Sequence, residues 1–170
     1  MQFDDQPPVG EHFPCPYLVV SEGSVVPRSW PSTEVWRGPL KWITSATEAI
    51  HRRDPLPLCL YPSDCPWRPA WLDDCPWRSA ALRALERQGR PHRVVAVADT
   101  IEGLYASVAA GTAVTVSVDG KLPEALRLVR DDEGLPPLPD TNLVMIKSRD
   151  ARQPLTDTAA TVILSSFALA

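Results

Sequence analysis

Between residues 56 and 118, apolar runs and helical stripes alternate, and no other feature of the chain constrains the fold as strongly. Leu58-Cys59-Leu60-Tyr61 reads as a short strand closed by Pro62-Ser63-Asp64. A helix follows from Pro76, which suits the first helical position, with Asp74 placed to cap it. Its apolar face is Trp77, Ala81, Leu82 and Leu85, and Gly89 with Pro91 stops it. Arg93 to Ala98 is almost continuously apolar, the pattern of a strand buried on both faces. Asp99-Thr100 opens a second helix, in which Ile101, Leu104, Tyr105 and Val108 form one stripe, and Gly111 ends it. Ala113 to Val118 is rich in β-branched residues and reads as a strand, turned at Asp119-Gly120. Strand, helix, strand, helix, strand in this order predicts right-handed βαβ units and an α/β fold with mostly parallel sheets. Ligands of such folds bind beyond the carboxyl ends of the strands, where helix N-termini present free amides.

The flanks are less regular. Tyr17 to Val20 reads as a strand ended by Ser21-Glu22-Gly23, and Leu40 to Ile43 as another. Thr44 to Arg53 suits a helical turn with a polar start at Ser45 and Thr47, stopped by Asp54-Pro55. Leu126 to Val129 and Leu143 to Ile146 read as strands, joined through the connector Gly134 to Pro139. Thr158 to Phe167 suits a helix with Ala159, Val162, Ile163 and Phe167 on one face. Pro7, Pro8, Pro14, Pro16, Pro27 and Pro31 keep residues 1–35 out of helix interiors and central strands. Thirteen of the 19 prolines precede Ser79, so the first half is loop-rich and the second more regular.

With 170 residues, the chain suits one domain or two small lobes. A net charge of −4 argues against an autonomous nucleic-acid binder, which needs a basic face for phosphates. No run approaches the length of a membrane span, and Met1-Gln2-Phe3-Asp4-Asp5 is unlike the start of a signal peptide. The expected compartment is therefore the cytoplasm, with no membrane contact. Cys15, Cys59, Cys65 and Cys75 lack Cys-x-x-Cys spacing, and His12, His51 and His92 stand apart, so packed thiols are expected rather than a metal site. Gly-rich phosphate loops and a Gly-x-Ser-x-Gly elbow are missing, which argues against an enzyme and for no cofactor.

Cys65-Pro66-Trp67-Arg68-Pro69-Ala70 recurs ten residues later as Cys75-Pro76-Trp77-Arg78-Ser79-Ala80. A short duplication accounts for it. It enlarges the loop at the carboxyl end of the strand finishing at Tyr61, where a ligand pocket is expected.

From Arg53 to about Phe167 the chain resembles the effector-binding domain of LysR-type transcriptional regulators. The segments that carry the resemblance are Arg53-Asp54-Pro55-Leu56-Pro57-Leu58-Cys59-Leu60-Tyr61-Pro62, Cys75 to Leu82, Gly103-Leu104 with Val108 to Val116, and Gly134 to Pro139. Trp36 to Ile43 and Tyr17 to Glu22 are similar to the strands preceding the crossover in that family. The resemblance implies a two-lobed fold like that of periplasmic binding proteins, with a small effector in the cleft between lobes. It places residues 1–55 and 141–170 in a first lobe and 56–140 in a second. The family's winged helix-turn-helix has no counterpart in these residues, and its opening strand–helix unit is replaced by residues 1–35. The expectation is a truncated regulator with an incomplete first lobe, which does not itself bind operator DNA and acts as a homodimer or with full-length relatives.

A ligand site of this kind needs polar groups at helix starts and strand ends. Ser45 and Thr47 are the candidates from the first lobe, and Ser63, Cys65 and Arg68, or the repeat counterparts Cys75 and Arg78, from the second. Thr100 matches the family's polar residue at the start of a helix, and Thr115 a strand residue that faces the cleft. Each also has a plainer role: Thr100 and Ser63 as caps or turn residues, Arg68 and Arg78 as solvated charges, Thr115 as a strand former. Asp64, Asp74 and Asp99 at the helix starts weaken the pull on an anion, so the expected effector is a small polar or aromatic metabolite. The alternatives are a small cytosolic α/β enzyme and a solute-binding protein of the same fold.

Overall fold

The structure, a computed structural model, describes residues 18–23, 26, 32–63, 75–118, 120–147 and 154–168. Among these described residues there are seven strands, β1 (Leu18–Glu22), β2 (Ser32–Ser45), β3 (Leu56–Leu60), β4 (His92–Val97), β5 (Thr115–Val118), β6 (Leu126–Leu128) and β7 (Asp140–Lys147), and three α-helices, α1 (Pro76–Gln88), α2 (Ile101–Ala109) and α3 (Pro154–Ala168). Contacts divide the chain into residues 1–37 with 141–170, and residues 38–140.

The 38–140 unit carries the predicted alternation. β3 and β4 pair in parallel, and Val114, just ahead of β5, bridges to Leu58 in parallel. Leu40 to Ile43 of β2 then pair antiparallel with β5, and Ile43 to Ser45 pair antiparallel with β6. The strand order across this unit is therefore β4, β3, β5, β2, β6, with β2 alone running against the others. The α/β class and mostly parallel pairing expected from the alternation are present.

One face of this sheet holds the main core. Leu56, Leu58, Leu60, Val114, Val116 and Trp42 pack there with Ala81 and Leu85 of α1 and with Ile50. Full burial of a Leu-sized side chain contributes about 2 kcal/mol, and Ile50, Leu56 and Leu58 are completely buried. The Trp42 indole also donates to the Pro136 carbonyl at 2.8 Å, pinning the proline connector against the sheet. On the other face α2 inserts Leu104 against Cys59 and Ala113, and Val108 against Ile43. The first turn of α2 lies so close that a Cβ on Gly103 would come within 2.9 Å of the Ala98 Cβ.

Residues 38–55 pack in this unit because Leu40, Trp42, Ile43 and Ile50 are core residues. The expected helical turn over 44–53 is reduced to a 3-10 turn at Ile50–Arg52, cut short by Asp54-Pro55. α1 starts at Pro76 as predicted, but its N-cap is Cys75, without a side-chain cap bond, and Asp74 lies outside the described residues. The chain leaves α1 through Gly89 at φ 66°, with the Arg90 amide bonded to the Leu85 carbonyl. The expectation that β4 is covered on both faces holds only in part: Val94 packs against the core under α1, and Ala96 and Ala98 against the cluster under α2. Its burial alternates, and Val95 and Val97 are 40% and 54% exposed. β4 is the edge of its sheet, and a register shift opposite Leu58 and Cys59 skips Val95, so the two valines stay exposed at that edge although their neighbours pack on both sides.

In the other unit β1 pairs antiparallel with β7, and β7 neighbours β2. β2 is far longer than the predicted Leu40–Ile43 segment, because its first half finds pairing partners that apolar patterning does not reveal. α3 begins at Pro154, four residues before the predicted start, with Pro in its first turn. Val162 of its predicted apolar face is 59% exposed.

Candidate functional site

β3 and β4 end together, with the Ala98 amide donating to the Leu60 carbonyl at 3.2 Å. Their carboxyl ends are where both helices begin. Thr100 caps α2, its Oγ1 accepting the Gly103 amide at 3.2 Å. Asp99 and Thr100 are exposed. Tyr61 leaves β3 and meets Trp77 of α1 edge to face, with ring centroids 6.1 Å apart. Arg78 donates to the Tyr61 carbonyl at 3.0 Å, so the guanidinium fixes the loop exit. Ser63, two residues on, is exposed, and Cys75 is buried. The first amides of α2 carry the positive end of its dipole toward this surface.

The expected site residues fall in three places. Ser63 and Thr100 each follow a carboxyl end, three residues past the paired Leu60 and Val97. Ser45 and Thr47 lie at the opposite end of the same sheet, because β2 runs against β5: Leu40 is opposite Val118 and Ile43 opposite Thr115, which carries Ser45 past the amino end. There Ser45 Oγ accepts the amides of Thr47 and Glu48, both at 3.3 Å, and closes a turn. Thr115 lies inside β5, fully buried, and its Oγ1 has no hydrogen-bond partner among the described residues. Cys65 and Arg68, with the whole first copy of the repeat, lie outside the described residues.

A buried ionic cluster escaped the sequence reading. The Glu133 side chain is 4% exposed and accepts both terminal nitrogens of Arg127, at 2.7 and 2.9 Å, and the Arg130 amide at 2.9 Å. The Arg127 side-chain bond and the Arg130 amide, together outweighing the cost of burial, hold its carboxyl down at about 2. His51, 1% exposed, places Nε2 3.4 Å from Glu133 Oε1. Burial pushes its pKa below the usual imidazole value, against the pull of Glu133. Arg127 and Glu133 stand six residues apart in sequence, a spacing with no local structural meaning, and His51 is remote from both.

No family profile matches the chain. Over 128 residues it is 38% identical to the HTH-type transcriptional regulator PecT of Dickeya dadantii, a match covering 75% of the chain and 37% of that regulator. The chain thus spans little more than a third of the length of this curated relative. Among solved structures, it superposes on HinK, a LysR family transcriptional regulator from Pseudomonas aeruginosa, with a TM-score of 0.58 at 12% identity, covering 90% of the chain and 54% of HinK. It also superposes on the CcmR regulatory domain of Synechocystis PCC6803, solved in complex with 2-PG, with a TM-score of 0.51 at 15% identity, covering 88% of the chain and 73% of that domain. The fold is the periplasmic-binding-protein-like α/β fold of those regulatory domains. Shared sequence and shared fold make the chain a relative of the effector-binding domains of LysR-type transcriptional regulators.

Proposed function

We propose that the chain is a ligand-sensing domain of a LysR-type transcriptional regulator, that it acts in the cytoplasm without catalysis, and that its effector is a small polar or aromatic metabolite. The observation that carries this reading is the N-terminus of α2, capped by exposed Thr100 at the carboxyl end of β4, with exposed Ser63 following the paired end of β3. Free amides and two hydroxyls at that position suit a polar ligand group. The neighbouring Asp99 carboxylate disfavours a strongly anionic one. Cys65 and Arg68 would add to the same loop. The CcmR regulatory domain in complex with 2-PG supports ligand binding by this fold.

The output follows from population shift: an effector that binds one conformation more tightly enriches it, tenfold for about 1.4 kcal/mol of differential affinity. DNA contact would come from a segment beyond the region described here or from a partner, as a homodimer or with full-length relatives. The test is a titration of a metabolite panel followed by tryptophan fluorescence. A saturable response that is lost in Thr100→Ala and retained in Thr100→Ser supports the reading. Folded protein with no saturable response across the panel overturns it.

A further inference from the structure

A second recess lies at the other end of the same strands. α2 has nine residues and is about 14 Å long at 1.5 Å per residue, whereas the six residues of β4 extend about 20 Å. The helix runs back from the carboxyl ends and leaves the sheet uncovered beyond its C-terminus. The space there is about 660 Å³, within the range of small-molecule pockets. Its apolar surface comes from Pro57 and Val95, and its rim from Arg53, Asp54, Arg93 and Thr112. Arg53 is held in place, donating to the Gly111 carbonyl at 3.2 Å and to Glu48 at 3.1 Å. The first bond occupies a carbonyl at the end of α2 and offsets the negative pole of the helix dipole there. Arg90 stands directly behind, donating to the Arg53 carbonyl at 3.0 Å. The side chain of Arg93 is exposed and makes no hydrogen bond or ion pair with the described residues. Glu48 and Asp54 set two carboxylates against three guanidinium groups, which leaves one positive charge in surplus, and of the three only Arg93 makes no side-chain bond among the described residues.

We propose that this recess is a second ligand site, which takes a small organic carboxylate: the anionic group on Arg93 and Arg53, the hydrocarbon body on Val95 and Pro57. A guanidinium suits a carboxylate because its planar fork can offer two parallel N–H donors, and apolar surface next to it selects a carboxylate with a carbon body over a bare anion. The site is independent of the carboxyl-end reading above, since it shares no residue with it.

The experiment titrates ¹⁵N-labelled full chain with cyclohexanecarboxylate and follows backbone amide shifts. Saturable shifts centred on Thr112, Val95 and Ala96 are expected, with Arg93→Glu lowering the apparent affinity at least about tenfold, the loss of one charge-assisted contact. Val95→Asp should abolish binding in the same way. Both side chains are exposed, so both variants should fold. Inorganic phosphate and neutral cyclohexylmethanol should each bind far more weakly. An absence of saturable shifts, equal affinity in Arg93→Glu, or equal binding of the neutral alcohol overturns the proposal. Shifts centred on Thr100 instead would also overturn it and leave the carboxyl-end reading standing.

Discussion

Glu133 is the residue at which a single atom change should report most clearly on the fold. Glu133→Gln keeps the shape and one acceptor but removes the charge that Arg127 grips through two bonds and the Arg130 amide through a third. The fall of its pKa from 4.5 to about 2 corresponds, at about 1.4 kcal/mol per tenfold, to at most about 3.5 kcal/mol in favour of the folded state. Arg127 is 32% exposed, and solvent screening on that side trims the expected cost to about 2 kcal/mol. The pH dependence has a definite sign. A carboxylate whose folded pKa is depressed stabilises fully above its unfolded value near 4.5 and loses that stabilisation as pH falls toward 2. Urea unfolding of both proteins between neutral pH and the acid limit should therefore show a gap of about 2 kcal/mol at pH 7 that closes through the window from 4.5 to 2. A gap that persists unchanged into acid, or a neutral-pH cost within the error of the extrapolation, refutes the view that this carboxylate is an ionised, load-sharing part of the core.

His51 carries the complementary prediction. Burial lowers its pKa, so the folded state resists the proton, and its stabilising contribution is complete above about pH 6.5 and declines as pH drops below that value. His51→Leu should match or exceed wild type in thermal unfolding, with an advantage that grows on going from pH 7 to pH 5. Leu58→Ala, at a completely buried position between α1 and the sheet, should cost about 2–5 kcal/mol in urea unfolding. Thr115→Val removes a buried hydroxyl without a partner while keeping shape and strand preference, and should raise stability by about 1 kcal/mol in the same assay.

What the sequence revealed and what it hid follow from the range of the forces involved. The stripe Ile101, Leu104, Tyr105, Val108 and the Thr100 cap are local, and α2 forms where they place it, with Leu104 and Val108 buried. The stop at Gly89 is local too, since a backbone at φ 66° admits glycine with least strain. β4 shows the limit of that logic. Val94, Val95, Ala96 and Val97 make an apolar run, but a register shift against β3 and the edge position decide which of them pack: Val94 and Ala96 do, on opposite sides, and Val95 and Val97 stay exposed. The site residues divide in the same way. Ser63 and Thr100 are linked by the βαβ rule, which puts consecutive strand ends on one side, and the strand ends that precede them are paired. Ser45 and Thr47 look equivalent in sequence, polar groups after an apolar strand, yet the antiparallel register of β2 with β5 carries them to the opposite end. Strand direction is set by pairing with residues more than seventy positions away, and no local pattern encodes it. That one reversal separates the two ends of the sheet chemically: exposed hydroxyls and helix amides at one, an arginine-rimmed apolar recess at the other. A ligand that tells them apart must therefore differ in charge rather than in size alone.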